Sequence, residues 1–360
     1  MKIVLMVPEM EMGGVEQGTY DLVEGFVKRG HKVFLLSHGG KMIPSLKEKG
    51  VNFFSLPLHK KDPFSFFYSL YKSRDIFKMI KPDIVHARSR VPAWVGYYAT
   101  KPFPSIHFIT SFHSFYNRHF PSRIMGRGER VIVVSKSLSE YAVKYFGVKK
   151  EKIRVVYNGV KLGRIPERKR KLLITMGIMG RLSEGKGFEP FIKIFKGISE
   201  KYTHIKGIMG LGVSDKNSSY LKKIKELVEK NSLKEKIEIL VNPKKEEFFS
   251  KIDIYVAPVT KPEGFGRTIA ESQLAGIPIV GKNIGAMGEI VIHQKTGFLV
   301  NGGLDEFILY VAKLIEDENL RKKMGKEGME YVSNNFTVEK MIERTLSVYE
   351  EVLSKRYVKI

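Results

Sequence analysis

Short apolar runs alternate along this chain with longer stretches whose apolar residues recur every three or four positions, the pattern of strand and amphipathic helix in turn. In the first half these runs predict strands at 2–7, 32–37, 52–56, 83–86, 105–110, 131–134 and 153–156. Helical periodicity fills most of the intervals, as at 15–29 and 138–146. The stretch 163–171 (GRIPERKRK) is polar, strongly basic and holds Pro166, and it reads as a linker. A second series follows, with strands at 172–179, 203–209, 237–241, 253–257, 278–280 and 297–300. Its helices are predicted at 188–200, 218–231, 245–250, 267–275 and 304–317, and another follows Val338. Strands that alternate with helices build parallel sheets covered on both faces. The expected architecture is therefore α/β: two Rossmann-like domains, 1–165 and 171–337, facing a central cleft. The C-terminal helix, 338–360, is expected to pack back on the first. Ligands bind such sheets at the carboxyl ends of the strands.

Composition changes this picture in two ways. The 360 residues include no cysteine, which excludes disulfides, thiolate metal sites and cysteine nucleophiles. The apolar run at 1–8 is short for a secretory signal and is followed at once by Glu9, Glu11 and a Gly-Gly pair, so a buried first strand and a cytoplasmic setting are expected. The net charge of +24 is uneven: residues 1–170 carry +18 and the remainder +6. That asymmetry points the first half at an anionic partner, whether nucleic acid, anionic lipid or a phosphorylated glycan.

Three motifs carry chemistry. Gly13-Gly14-Val15-Glu16 lies between the first strand and a helix, where paired glycines let backbone amides approach an anion; a plain tight turn explains them equally well. Gly180-Arg181-Leu182-Ser183-Glu184-Gly185-Lys186-Gly187 occupies the corresponding place in the second series. There Arg181 and Lys186 can converge on one phosphate, unless they are two solvated loop cations. Third, Glu263 and Glu271 bracket the turn Gly264-Phe265-Gly266 and the start of a helix, whose free amides suit a phosphate. Glu263 could accept hydrogen bonds from sugar hydroxyls and Glu271 from a ribose, although carboxylates near a helix start are also common dipole partners.

In this order the motifs resemble glycosyltransferase family 4, a group of GT-B enzymes (glycosyl transferases group 1), over essentially the whole chain. The carrying residues are GGVE at 13–16, SFHSFY at 111–116, VIVVSKS at 131–137, VVYNGV at 155–160, GRLSEGKG at 180–187 and EGFGRTIAE at 263–271. HARSRVPAW at 86–94 and MGRGERVIVVSKS at 125–137 look most like bacterial lipopolysaccharide-type transferases. The resemblance implies retaining transfer from a UDP- or GDP-linked sugar, without metal or other cofactor, onto a glycan or glycolipid acceptor. Front-face attack would pass through a short-lived oxocarbenium-like ion pair, with the leaving phosphate helping to take the acceptor's proton. Arg181 and Lys186 would neutralise the diphosphate, Glu263 would hold the sugar and Glu271 the ribose. Gly14, with Gly264, Phe265 and Gly266, would contact the donor, and His113 would touch the sugar near its reacting carbon. The chain departs from the usual pattern at Ser272-Gln273-Leu274 and at 286–289 (AMGE), both near the donor pocket. The resemblance leaves sugar identity open there.

Other features admit more than one role. His86 and His107, near strand ends, suit packed structural positions as well as catalytic ones. Arg88, Ser89 and Arg90 suit an anionic acceptor or an ordinary surface. The segment 62–81 combines six aromatic residues with Lys72, Arg74, Lys78 and Lys81, as a helix dipping into an anionic bilayer would, though a core-facing helix with a basic outer side has similar content. With it comes an expectation of peripheral attachment to the inner face of the cytoplasmic membrane. Two rivals stand beside sugar transfer: an epimerase or phosphorylase on the same scaffold, and a basic nucleic-acid-binding protein. No RNP-type, OB-type or helix-turn-helix pattern supports the latter.

Overall fold

The computed structural model describes residues 1–11, 13–165, 173–214 and 217–354. The chain forms two compact units, one comprising Met1–Gly159 and the chain from Val338 onward, the other Val160–Thr337.

In the first unit seven strands, β1 (Lys2–Met6), β2 (Lys32–Ser37), β3 (Asn52–Ser55), β4 (Ile84–Ala87), β5 (His107–Phe112), β6 (Arg130–Val133) and β7 (Ile153–Val155), pair in the order β3-β2-β1-β4-β5-β6-β7. Every pairing is parallel. The inner strands β1, β2, β4, β5 and β6 are mostly apolar and buried, and the edge strands β3 and β7 are partly exposed. Helices α1 (Gly14–Lys28), α2 (Ile43–Glu48), α3 (Pro63–Ile80), α4 (Arg90–Thr100) and α5 (Lys136–Phe146) cover the sheet. β5 begins two residues later than the apolar run suggests, since 103–106 turn through Phe103 N–H to Thr100 C=O and Ile106 N–H to Phe103 C=O. The strand order reverses at β1, between β2 and β4, which makes the carboxyl ends of β1 and β4 the place where this sheet can hold a ligand.

The C-terminal helix, Val338–Ser354, belongs to this unit and packs on α1. Gly25 permits the approach, since a Cβ there would sit 2.2 Å from Ile342 Cδ1. Phe26 and Tyr349, both fully buried, meet with ring centroids 5.7 Å apart.

The second unit holds β8 (Ile174–Arg181), β9 (Ile205–Gly212), β10 (Ile237–Val241), β11 (Ile254–Ala257), β12 (Ile279–Lys282) and β13 (Gly297–Val300), parallel in the order β10-β9-β8-β11-β12-β13. Its helices are α6 (Phe188–Ser199), α7 (Ser218–Lys230), α8 (Lys245–Lys251), α9 (Arg267–Leu274), α10 (Met287–Ile290), α11 (Leu304–Glu316) and α12 (Glu318–Asn335). Val160–Ile165 travel with this unit: Val160 bridges Thr337, and Gly163 N–H donates to Glu246. The rest of the expected linker lies outside the described residues. β8 continues to Arg181, because Gly180 and Arg181 pair with Leu211 and Gly212, so the motif begins as strand. The order reverses again at β8, between β9 and β11.

Candidate active site

At that second reversal three loops are stitched together. The β8–α6 loop turns through Glu184–Lys186 and ends at Gly187, whose φ of +88° lies in the left-handed region. A Cβ there would also fall 2.3 Å from Pro258 O, so only glycine lets this loop lie against the end of β11. Thr260, in the loop after β11, donates its N–H to Gly185 C=O at 3.1 Å. The loop after β12 closes the set: Ala286 N–H donates to Glu263 C=O at 3.1 Å, holding the backbone of that glutamate.

These loops place charge at short range. Lys186 Nζ lies 2.7 Å from Glu263 Oε1, joining two residues of separate motifs. Glu271 is fully buried one turn into α9, and Lys245, the first residue of α8, holds its Oε1 at 2.6 Å. Arg267 Nε is 3.9 Å from the same oxygen. Oε2 is shielded from solvent and accepts no hydrogen bond among the described residues. A buried carboxylate oxygen in that state is costly unless a donor reaches it. Arg181 stands exposed at the end of β8 and belongs to neither pair.

Gly264, Phe265 and Gly266 form the turn into α9. Gly266 caps the helix at φ +75°, and Phe265 is buried edge-on against Phe336, with centroids 5.3 Å apart. Tyr255 of β11 ties the arrangement together, and sequence reasoning missed it because it sits in a strand read only as apolar. Its buried hydroxyl donates to Met179 C=O at 2.7 Å, accepts from Met179 N–H at 3.2 Å and lies 3.3 Å from Thr268 Oγ1. Burial keeps that phenol protonated far above the usual tyrosine range. Lys245 was missed as well, since it meets Glu271 from a different helix. A hollow of about 760 Å³ opens beside the Lys186–Glu263 pair and runs toward Asn217, Tyr220 and Lys223.

The first unit has its own polar cluster, at the carboxyl ends of its strands. Gly13 is extended and Gly14 begins α1, exposed; the carboxylate of Glu16 folds back so far that a Cβ on Gly13 would touch it at 2.1 Å. His86 is a core residue: Nδ1 lies 2.6 Å from Tyr349 Oη, and Nε2 hydrogen-bonds Ser111 Oγ. Burial first, and then the Arg88 guanidinium, holds its pKa well below the usual histidine value. Arg88 itself is buried rather than displayed, its Nε donating to Thr19 Oγ1 at 2.9 Å. Arg90 stacks over Tyr116 at 5.3 Å from the ring centroid. His107 stands apart from this cluster, at the amino end of β5, 2.9 Å from Glu129.

His113 follows β5 directly. Both its ring nitrogens are shielded from solvent and make no hydrogen bond among the described residues. Desolvation, then Arg88 and His86, pushes its pKa well down, so the imidazole is neutral near pH 7 and carries one donor and one acceptor.

The first unit and the second each resemble known proteins. A glycosyltransferase from Rickettsia africae is 26% identical, with 98% of each chain covered and a TM-score of 0.86. Anabaena HepE, crystallised with UDP and glucose, is 18% identical, over 99% of this chain and 100% of that one, with a TM-score of 0.82. The capsular polysaccharide biosynthesis glycosyltransferase CapM of Staphylococcus aureus is 27% identical over 240 residues, 62% of this chain and 62% of its own length. The family described as Glycosyltransferase Family 4 matches residues 12–164 and Glycosyl transferases group 1 matches 164–331, so the chain belongs to the family 4, group 1 glycosyltransferases and has the GT-B fold.

Proposed function

We propose that this glycosyltransferase moves a sugar, with retention of anomeric configuration, from a nucleoside-diphosphate donor to a lipid-linked or cell-surface glycan at an anionic, cytoplasm-facing membrane. One observation carries the donor half: Glu271 is buried with one oxygen held by Lys245 and the other accepting no hydrogen bond among the described residues. That oxygen suits a hydroxyl donor such as a ribose 2′- or 3′-OH, and the neighbouring α9 start suits a phosphate.

In this reading Arg181 and Lys186 neutralise the diphosphate and the charge that develops as it leaves, so charge stabilisation comes from side chains and needs no metal. A phosphate drawn to Lys186 loosens its grip on Glu263, and that carboxylate becomes available to sugar hydroxyls. Gly14 and His113 keep the roles that family resemblance implies. A neutral imidazole suits the second of these, since it hydrogen-bonds sugar without repelling an oxocarbenium-like centre. UDP is the favoured carrier because HepE was crystallised with UDP and glucose. The cell-surface acceptor rests on the lipopolysaccharide-type motifs and on CapM's part in capsular polysaccharide synthesis.

The test is a thermal-shift and calorimetric screen with UDP, GDP and their sugars, followed by nucleotide release with and without glycolipid acceptors. Stabilisation by one nucleotide series and acceptor-dependent release support the reading. Release that ignores acceptor, or no binding of any nucleotide, overturns it.

A further inference from the structure

Helix α3 carries large apolar residues on both of its sides. Its buried side carries Ser65, Ser69 and Ser73, one residue per turn, with Leu70, Ile76, Phe77 and Ile80. The hydroxyls of Ser69 and Ser73 are shielded from solvent and make no hydrogen bond among the described residues. The outward side carries Phe64, Phe67, Tyr68, Tyr71 and Met79, of which Phe64 is 81% and Tyr71 61% exposed. A helix stabilised only by its own unit would not leave five large apolar side chains on its outward face.

The exposed rings continue beyond α3. Arg74 lies 6.0 Å from the Tyr71 ring centroid and donates to Tyr98 C=O at 3.2 Å. Tyr98 stacks on Trp94 at 5.9 Å, and Trp94 meets Phe120, itself 70% exposed, at 6.2 Å. Contiguous apolar surface of this kind marks an interaction site. Its charge says what kind. Lys72 and Lys78 share the outward face of α3 with a single acidic residue, Asp75, and from Ile84 to Gly128 the chain has no acidic residue at all. Lys101, Arg123 and Arg127 of that stretch are exposed. Two copies of so basic a face repel each other, whereas aromatic rings with interspersed lysines match the headgroup boundary of an anionic bilayer.

We propose that the outward face of α3, continued through Trp94 and Phe120, docks on anionic lipid bilayers, with Phe64, Phe67 and Tyr71 entering the acyl boundary and Lys72 and Lys78 at the headgroups. The proposal deepens the membrane part of the proposed function and rests on it only for the location of the acceptor; its test uses neither donor nor acceptor. Among the described residues no helix is long and apolar enough to cross a membrane.

Trp94 is the chain's single tryptophan and lies within the patch, so the intact protein reports on itself. With vesicles of mixed phosphatidylglycerol and phosphatidylcholine, its emission shifts to the blue and is quenched by brominated acyl chains; pure phosphatidylcholine does neither. The variant F64S/F67S/Y71S binds at least about tenfold more weakly. K72Q/K78Q also loses roughly tenfold or more and is less sensitive to salt. Both variants keep wild-type thermal shifts with nucleotides, which separates loss of docking from loss of fold and from failure of the donor reading. Absence of quenching with anionic vesicles, or equal binding by the variants, overturns the proposal. So does tighter binding to an RNA oligomer, or a dimer in sedimentation that F64S/F67S/Y71S abolishes, since these assign the face to nucleic acid or to a second copy.

Discussion

Lys186 Nζ lies 2.7 Å from Glu263 Oε1, so an ion pair links the loop after β8 to the loop after β11. Both side chains are partly exposed, and such a pair contributes about 1 kcal/mol or less to folding. Its worth is expected in catalysis instead. Lys186→Met should leave the melting temperature nearly unchanged while kcat/KM falls roughly 100-fold or more, as when one charge-stabilising donor is removed. Glu263→Gln, which keeps a hydrogen-bonding group, should lose less than Glu263→Ala. Wild-type kinetics in Lys186→Met would remove this lysine from the donor site.

Glu271 makes a sharper prediction because its two oxygens differ. Wild-type protein should bind UDP roughly tenfold or more tightly than 2′,3′-dideoxy-UDP, reflecting hydrogen bonds from the ribose to a buried charged acceptor. In Glu271→Ala that preference should vanish. Since Lys245 is then left beside a buried gap, stability should also fall, and Glu271→Gln serves as the control that fills the same space. Equal preference in wild type and Glu271→Ala, measured calorimetrically, would sink the ribose assignment.

Periodicity made most strands and their alternation with helices legible, because all-parallel sheets require continuous apolar runs. Helix α12 escaped that reading. It carries Gly325 and Gly328 where apolar side chains would otherwise mark a buried face, and a Cβ on Gly325 would fall 2.2 Å from Gly276 O. Close packing against the end of α9 selected residues that look like helix breakers. The site was legible as motifs and illegible as pairs. Lys186 and Glu263 are 77 positions apart, and Lys245 and Glu271 are 26 apart on different helices. Arg88 looked like a displayed cation and is instead sealed against Thr19, because the neighbouring α1 supplies a hydroxyl that no local pattern announces.

The C-terminal helix carries a pH-sensitive anchor within the first unit. Glu351 accepts from Arg130 of β6 and Arg154 of β7, with Arg130 Nε at 2.9 Å. Hydrogen bonding to the two guanidinium groups brings its carboxyl down to about 2. A lowered carboxyl stabilises the fold fully above the unfolded value of about 4.3, and that contribution is lost as pH falls toward 2. Allowing for solvent screening of a side chain that is 30% exposed, about 1–2 kcal/mol is at stake. Glu351→Gln should therefore be less stable than wild type at pH 7 by that amount and nearly equal to it at pH 2. A gap that stays constant across denaturation curves from pH 7 to 2 would show that the ion pairs contribute nothing of the kind.

Gly187 tests whether the geometry of the donor loops, rather than their charges alone, matters. Its φ of +88° disfavours any side chain, and the path of a Cβ toward Pro258 O, at 2.3 Å, is blocked by backbone. Gly187→Ala must therefore push the β8–α6 loop away from the end of β11, which parts Lys186 from Glu263 while leaving both residues in place. Strain and lost loop contacts together are expected to cost about 1–3 kcal/mol, visible as a lower melting temperature. Nucleotide affinity should drop about as much as in Lys186→Met, although no charge has been removed. Tyr255→Phe is the milder companion, since it deletes the hydroxyl joining Met179 to Thr268 without steric change. It should raise KM for the donor severalfold with about 1 kcal/mol of destabilisation. If Gly187→Ala binds nucleotide as wild type does, the loop's charges act independently of its seating, and the shape of this turn is irrelevant to donor recognition.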